Sequence, residues 1–139
     1  MQISEGGCLC SAIRYRIRGA PLSTIICHCA TCRRANAAPT VAWLTVDRTQ
    51  FEMLSGHPSS YRSSPGVIRR FCGICGSQIT YESATSPGTI DVTTASLDKP
   101  SIFPPSSEVW LEHKVPWQPI NETLDQFLHG SAAADAGQP

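Results

Sequence analysis

The seven cysteines of this 139-residue chain are the residues whose type and spacing could carry chemistry. They fall into three short motifs, Cys8-x-Cys10, Cys27-x-Cys29-x-x-Cys32 and Cys72-x-x-Cys75. An odd number of cysteines cannot pair entirely into disulfides, whereas seven divides naturally into four and three. Four thiolates make a closed structural zinc site, and three leave the fourth tetrahedral position open for water or substrate. The count therefore predicts one metal that holds the fold and one that takes part in chemistry.

The spacing within each motif suggests how the cysteines divide between the two metals. The pair 72 and 75 has the form of a zinc knuckle, in which the chain turns so that both sulfur atoms reach one ion at ~2.3 Å. The pair 8 and 10 suits the same ion, because residues i and i+2 of an extended chain point to the same side. The central loop already carries three sulfurs and needs no knuckle. We therefore expect one zinc at Cys8, Cys10, Cys72 and Cys75, and a second at Cys27, Cys29 and Cys32.

Other arrangements remain open at this stage, since economy favours this division but spacing does not force it. The knuckle could combine with two cysteines of the central loop. Cysteines also occur as small buried apolar residues, in disulfides, and as ligands of iron in four-thiolate sites. Zinc is favoured over iron because it needs no redox partner, and no motif here follows a thioredoxin-like βαβ unit. His28, between two ligand cysteines, is expected to point away from the metal and to support the site.

The segments that must position these motifs have mainly the character of strands. In residues 12–18, Ile13, Tyr15 and Ile17 alternate with arginines, which predicts a half-buried strand. Turns containing Gly or Pro separate the other strand candidates. These are residues 22–27, 40–46, 51–54, 67–71, 78–81, 89–94 and 108–112. The pattern predicts an all-β or mainly β domain, with one helix over residues 121–129 that Asn121 would cap.

Charge and hydropathy exclude several functional classes. Eleven Lys and Arg residues balance eleven Asp and Glu residues, so no overall field attracts nucleic acid or a membrane surface. No stretch approaches the ~20 apolar residues of a membrane span, and the N-terminus lacks the features of a signal peptide. We expect a cytoplasmic protein with reduced thiols and no nucleic-acid or membrane partner. A single domain is expected over residues 1–129, followed by a disordered tail at 130–139.

The sequence around the three cysteine motifs is similar to that of a known family. The matching stretches are Gly6-Gly-Cys-Leu-Cys10, Cys27-His-Cys-Ala-Thr-Cys-Arg-Arg34 and Phe71-Cys-Gly-Ile-Cys-Gly-Ser77, with Leu97-Asp98-Lys-Pro100 and Pro116-Trp117 downstream. They resemble the glutathione-dependent formaldehyde-activating enzyme family, which also contains centromere-protein-V-like proteins. The resemblance extends from about residue 2 to residue 117.

This resemblance implies a β-tent fold, in which small antiparallel sheets are tied by a structural zinc. It also implies the division of the cysteines given above, with Cys27, Cys29 and Cys32 at a catalytic zinc, and hence two zinc ions per chain. The implied activity is carbon–sulfur lyase chemistry, in which glutathione adds to formaldehyde or a related carbonyl compound to give S-hydroxymethylglutathione, and the reverse. Arg33 and Arg34 are candidates to bind a glutathione carboxylate.

The chain also departs from the family's pattern. Ser11 stands where members usually have glycine, which is tolerable if the backbone is extended there, and Glu108 lies where many have histidine. Residues 35–38 differ from the usual Thr-Gly-type sequence and are expected to line the substrate pocket. Trp43 and Trp117 are expected in the core rather than in a substrate wall, and His57 and His113 at the surface.

Two competing functions remain open from the sequence. The domain could bind or carry a thiol without accelerating any reaction. Alternatively, both zinc ions could be structural and the domain could bind a protein.

Overall fold

The computed structural model describes residues 1–130, and the prediction of a mainly β fold is confirmed. Most of the predicted tail, residues 131–139, lies outside the described residues. Among residues 1–130, one α-helix, α1 (Ala30–Asn36), and four 3-10 helices of three residues each interrupt the strands. The strands are β1 (Ile3–Gly7), β2 (Arg14–Arg18), β3 (Ser23–Cys27), β4 (Val41–Asp47), β5 (Phe51–Ser55), β6 (Ser59–Ser64), β7 (Val67–Phe71), β8 (Gln78–Ser83), β9 (Thr89–Thr93), β10 (Ser107–Val109) and β11 (Asp125–Gln126).

The strands form two sheets. An antiparallel sheet has the order β1-β2-β5, and a larger sheet has the order β11-β10-β3-β4-β9-β8-β7-β6. Every pairing in the larger sheet is antiparallel except those of β10, which runs parallel to both β3 and β11. The main core joins Tyr15 and Ile17 of the small sheet to Leu44, Val46 and Val92 of the large one. Burial of this shared apolar surface holds the two sheets together.

The alternating pattern of residues 12–18 has the predicted consequence. Ile13, Tyr15 and Ile17 are buried, and the intervening arginines lie on the outer face. There Arg16 pairs with Glu5 of β1 at 2.7 Å, and Arg18 pairs with Glu52 of β5 at 2.9 Å. Strands β3 and β4, predicted to be interior because both faces are apolar, each lie between two neighbours.

The predicted helix over residues 121–129 is wrong. The Asn121 carboxamide oxygen accepts the backbone N–H of Thr123 at 3.0 Å and its hydroxyl at 2.6 Å, which closes a turn instead of capping a helix. The chain then pairs with the edge of β10, where Phe127 N–H donates to the carbonyl of Glu108 at 2.9 Å. Leu128, which would have faced inward, is exposed. The open edge of β10 provides long-range hydrogen bonds that replace the local helical ones.

The two tryptophans that are expected in the core, Trp43 and Trp117, differ in their placement. Trp43 is buried as expected, whereas the expectation for Trp117 is wrong, because 71% of its surface is exposed. Trp117 follows Pro116 in an irregular segment beyond β10, and prolines there prevent regular pairing with a sheet. Among residues 1–130, no helix has the length and apolar character needed to span a membrane.

Candidate metal centres

The structure gathers all seven cysteines into two groups. One contains Cys8, Cys10, Cys72 and Cys75, and the other contains Cys27, Cys29 and Cys32. Within each group the sulfur atoms all lie within 4.8 Å of one another. Residues 1–130 contain every cysteine of the chain, and none of them forms a disulfide. The sulfur atoms are therefore divided four and three, which is the division that economy of ligands favours.

The four-sulfur group joins the two sheets. Cys8 and Cys10 lie in the turn between β1 and β2, and Cys72 and Cys75 lie in the turn between β7 and β8. The sulfur of Cys10 is 3.6 Å from that of Cys8 and 3.8 Å from that of Cys72. Two tetrahedral ligands that share a zinc at ~2.3 Å stand roughly 3.8 Å apart. The donor set and these distances are compatible with zinc.

Hydrogen bonds from backbone and side-chain groups surround the sulfur atoms of this group. Cys72 Sγ accepts the backbone N–H groups of Ile74 at 3.4 Å and Cys75 at 3.5 Å. The Ser77 hydroxyl, 3.3 Å from Cys75 Sγ, lowers the pKa of Cys75 to about 5. Leu9 N–H donates to the same hydroxyl at 3.0 Å, so Ser77 links the two cysteine turns.

The three-sulfur group is built where β3 passes into α1. Cys27 ends β3, Cys29 is the N-cap of α1, and Cys32 lies in the first turn of the helix. Cys29 Sγ accepts the N–H of Cys32 at 3.3 Å, so the capping interaction itself brings the two side chains together. Hydrogen bonds from Cys27 and Cys32 lower the pKa of Cys29 to about 2. All three cysteines are 0% exposed.

Strand β10 and the segment after it support this loop from outside. His28 N–H donates to the carbonyl of Val109 at 3.0 Å, and the His28 ring lies 2.7 Å from the Glu108 carboxylate. Both of these side chains are buried, and His28 is not part of the sulfur group. His113, expected at the surface, is half-buried, and its Nδ1 accepts the N–H of Ala30 at 3.1 Å. The cysteine loop is therefore held by hydrogen bonds at residues 28 and 30.

Arg33 and Arg34 lie in α1 directly after the last cysteine of the loop. They line an open groove of about 310 Å³ together with residues 37–39, Val115 and the exposed Trp117. A second groove, of about 470 Å³, is lined in part by Asn36, Ala38 and Cys8. Residues of the predicted pocket segment 35–38 thus line both grooves, and Ala38 borders the two.

The profile of the glutathione-dependent formaldehyde-activating enzyme family matches residues 3–113, which is most of the chain. The chain belongs to this family. A solved structure of a Rhodobacter sphaeroides protein has the same fold, with a TM-score of 0.60 and 16% identity over 88% of this chain and 98% of that chain. No curated protein shows significant similarity to this chain.

Two departures from the formaldehyde-activating family's pattern have structural consequences. Glu108, where many members have histidine, binds the ring of His28 and also accepts the N–H of Asn121 at 2.6 Å. Ser11 has a φ of 68°, so the extended backbone that would make serine tolerable in place of glycine is not present there. Cys8 and Cys10 are instead brought together by a turn, in which Ser11 N–H donates to the carbonyl of Cys8 at 3.1 Å.

Replacing Ser11 with glycine is expected to stabilise the protein. A side chain in the left-handed region raises the energy of the backbone by about 1–2 kcal/mol, and glycine avoids this at some expense in unfolded-state entropy. The net gain should be up to about 1 kcal/mol, measured as a higher midpoint in thermal denaturation. Gly76, with a φ of 83° in the other cysteine turn, provides the matched control, because Gly76→Ser should have the opposite effect. If Ser11→Gly and the wild type were equally stable, the left-handed backbone at Ser11 would not be strained.

Sequence reasoning missed Arg69, which lies beside the three-sulfur group. Its Nη1 and Nη2 atoms are 3.7 and 3.6 Å from Cys32 Sγ, and only 3% of its surface is exposed. The available signal was the alternation of β7, because Val67 and Arg69 share the inward face of that strand.

Proposed function

We propose that the protein is a cytoplasmic carbon–sulfur lyase-type enzyme with two zinc ions in one domain over residues 1–129. It would add glutathione to formaldehyde or a related carbonyl compound, giving S-hydroxymethylglutathione, and catalyse the reverse reaction. The observation that carries the proposal is the group of three sulfurs, which no His, Asp, Glu or further Cys joins among residues 1–130. Such a donor set leaves one tetrahedral position for an exchangeable ligand. Membership of the formaldehyde-activating family supports glutathione as the thiol.

The chain's own residues define what the site would do. A zinc ion held by three thiolates supplies a soft binding position that favours a fourth sulfur in its deprotonated form. Cys27, Cys29 and Cys32 would hold the ion, while His28 and Glu108 fix the loop. In the overall reaction a carbon–sulfur bond forms, the carbonyl π electrons move to oxygen, and the thiol proton ends on that oxygen. Because the uncatalysed addition is already facile, proximity and orientation would supply most of the acceleration.

An exchange measurement tests this function. With ¹³C-formaldehyde and glutathione at equilibrium, two-dimensional exchange NMR reports the rate at which free formaldehyde and S-hydroxymethylglutathione interconvert. The protein should increase this rate in proportion to its concentration without shifting the equilibrium. Saturable binding of glutathione with no increase in the exchange rate would show that the protein carries a thiol and is not an enzyme for this reaction.

A second candidate function rests on the burial of the three sulfurs. Each of the three cysteines is 0% exposed, and a closed centre is what a purely structural metal site requires. In that case both metals would hold the fold and the domain would bind a protein. Ligand exchange separates the candidates, because a catalytic centre must admit a thiol and a structural one does not.

Loss of the two groove arginines is expected to weaken glutathione binding. Arg33→Gln with Arg34→Gln should raise the glutathione concentration needed for half-maximal exchange by roughly three- to tenfold, since exposed charge pairs contribute about 1 kcal/mol or less each. The maximal rate should change little, because these side chains would hold the substrate away from the reacting atoms. Arg62→Gln on the exposed edge strand β6 is the control. If the double variant and the control need the same glutathione concentration, the carboxylate is bound elsewhere.

A further inference from the structure

Arg69 is a buried cation without a carboxylate partner. It projects from β7 and is 3% exposed, yet none of the ion pairs among residues 1–130 includes it. Its neighbour Arg70, by contrast, pairs with Glu82. Burying an unpaired guanidinium away from water is strongly unfavourable, so some other negative charge must face Arg69.

Among residues 1–130, the titratable group that Arg69 contacts through both of its terminal nitrogens is the thiol of Cys32 in the three-cysteine group. Both terminal nitrogens lie within 3.7 Å of Cys32 Sγ. The guanidinium also donates to two neutral groups. Its Nε donates to the Ser63 hydroxyl at 3.0 Å, and its Nη2 donates to the Thr31 hydroxyl at 3.3 Å. The guanidinium also lies over the Tyr81 ring, with its carbon 4.9 Å from the ring centroid. These contacts fix the cation in one orientation, directed at the thiolates.

A charge count shows what this cation does for a bound ligand. Three thiolates and a divalent metal carry a net charge of −1. An anionic ligand would make the net charge of this buried centre −2. Such a charge is unfavourable in a buried site unless a cation lies beside it. With Arg69 included, the centre with a neutral ligand has no net charge, and the centre with an anionic ligand carries −1. Removing Arg69 therefore penalises an anion more than a neutral molecule.

We propose that Arg69 is the fixed counter-charge of the three-cysteine centre, and that it makes an anionic ligand, among biological ones a thiolate, preferred there over a neutral ligand. The proposal rests on the proposed function, because it concerns the exchangeable position of that centre. Arg69 is a positioning residue in this account, since it acts through the charge of the cysteines. The ratio of affinities for anionic and neutral ligands distinguishes this role from a merely structural one. A structural role would leave that ratio unchanged.

The test uses the full-length cobalt-substituted protein, whose visible absorption reports ligands of the metal. Three probes are titrated: glutathione, azide as a small anion, and imidazole as a neutral ligand. Arg69→Gln should lower the affinities for glutathione and azide roughly tenfold or more relative to that for imidazole, because the positive charge that it removes attracts an anionic ligand and not a neutral one. The matched control, Arg70→Gln, changes the adjacent arginine and should leave all three affinities as in the wild type. Arg69→Lys retains the charge and should keep most of the preference.

Each outcome decides between the proposals. If glutathione and imidazole bind to Arg69→Gln with the wild-type affinity ratio, the charge role is overturned while the thiol function stands. If glutathione leaves the wild-type spectrum unchanged but azide binds and depends on Arg69, the charge role stands and the glutathione function fails. A wild-type spectrum insensitive to all three probes overturns both. Should Arg69→Gln not fold, Arg69→Lys decides alone, because complete loss of anion preference with the charge retained would contradict the proposal.

Discussion

Replacing Cys75 with serine is expected to remove one metal ion per chain and to lower the free energy of unfolding by several kcal/mol. With a metal bound, the four-sulfur group would link the β1–β2 turn to the β7–β8 turn, which belong to different sheets. Structural zinc contributes on the order of 10 kcal/mol of binding free energy in small domains, while a whole domain is stable by only about 5–15 kcal/mol. Cys75 is only half-buried, so its serine variant loses little packing. Thermal denaturation together with metal analysis measures the effect.

A control in the same turn isolates the metal. Ile74 lies between the two knuckle cysteines with 80% of its surface exposed, so Ile74→Ser should change neither metal content nor stability appreciably. If Cys75→Ser retained both metals and the wild-type denaturation midpoint, the four-sulfur group would not be the metal centre that holds the fold.

The second large effect is expected at the three-sulfur group. Cys29→Ser should abolish the acceleration of formaldehyde exchange and reduce the metal content to one ion per chain, yet destabilise the protein less than Cys75→Ser does. A centre that lacks one ligand contributes less folding energy. Serine is also a favoured N-cap residue, so α1 should keep its first turn.

The comparison of the two serine variants is the measurement for this prediction. Exchange NMR gives the rate, and the two denaturation midpoints give the relative stability. If Cys29→Ser unfolded the protein as severely as Cys75→Ser, the three-sulfur centre would be structural, in agreement with the complete burial of its cysteines. If Cys29→Ser stayed folded and fully active, the centre would not be the site of the reaction.

The parts of the structure that follow from local pattern could be predicted from sequence. Alternation predicts which face of β2 is buried, because side chains of a strand point to opposite sides in turn. Economy of ligands favours the grouping of the cysteines, because the central loop already carries three sulfurs, but their spacing leaves a mixed grouping open. Val67–Phe71 is predicted with the bounds that the structure has.

The parts that depend on distant partners could not be predicted. Asn121 suits a helix cap and a turn equally well, and the unpaired edge of β10 decides between them. Alternation in β7 indicates that Arg69 faces inward, but its contact with Cys32 arises only when the fold brings the cysteine loop against it. The left-handed conformation of Ser11 is likewise a consequence of closing the cysteine turn, which no residue preference of serine indicates.

The most direct test of the central claim is the visible absorption of the cobalt-substituted wild-type protein during a glutathione titration. Two cobalt ions per chain in sulfur-rich tetrahedral sites, with a spectral change that saturates at one glutathione per chain, are the predicted result. Such a change would establish one closed centre and one centre with an exchangeable position. Two cobalt ions whose spectrum glutathione leaves unchanged, or a single cobalt ion per chain, would contradict the account.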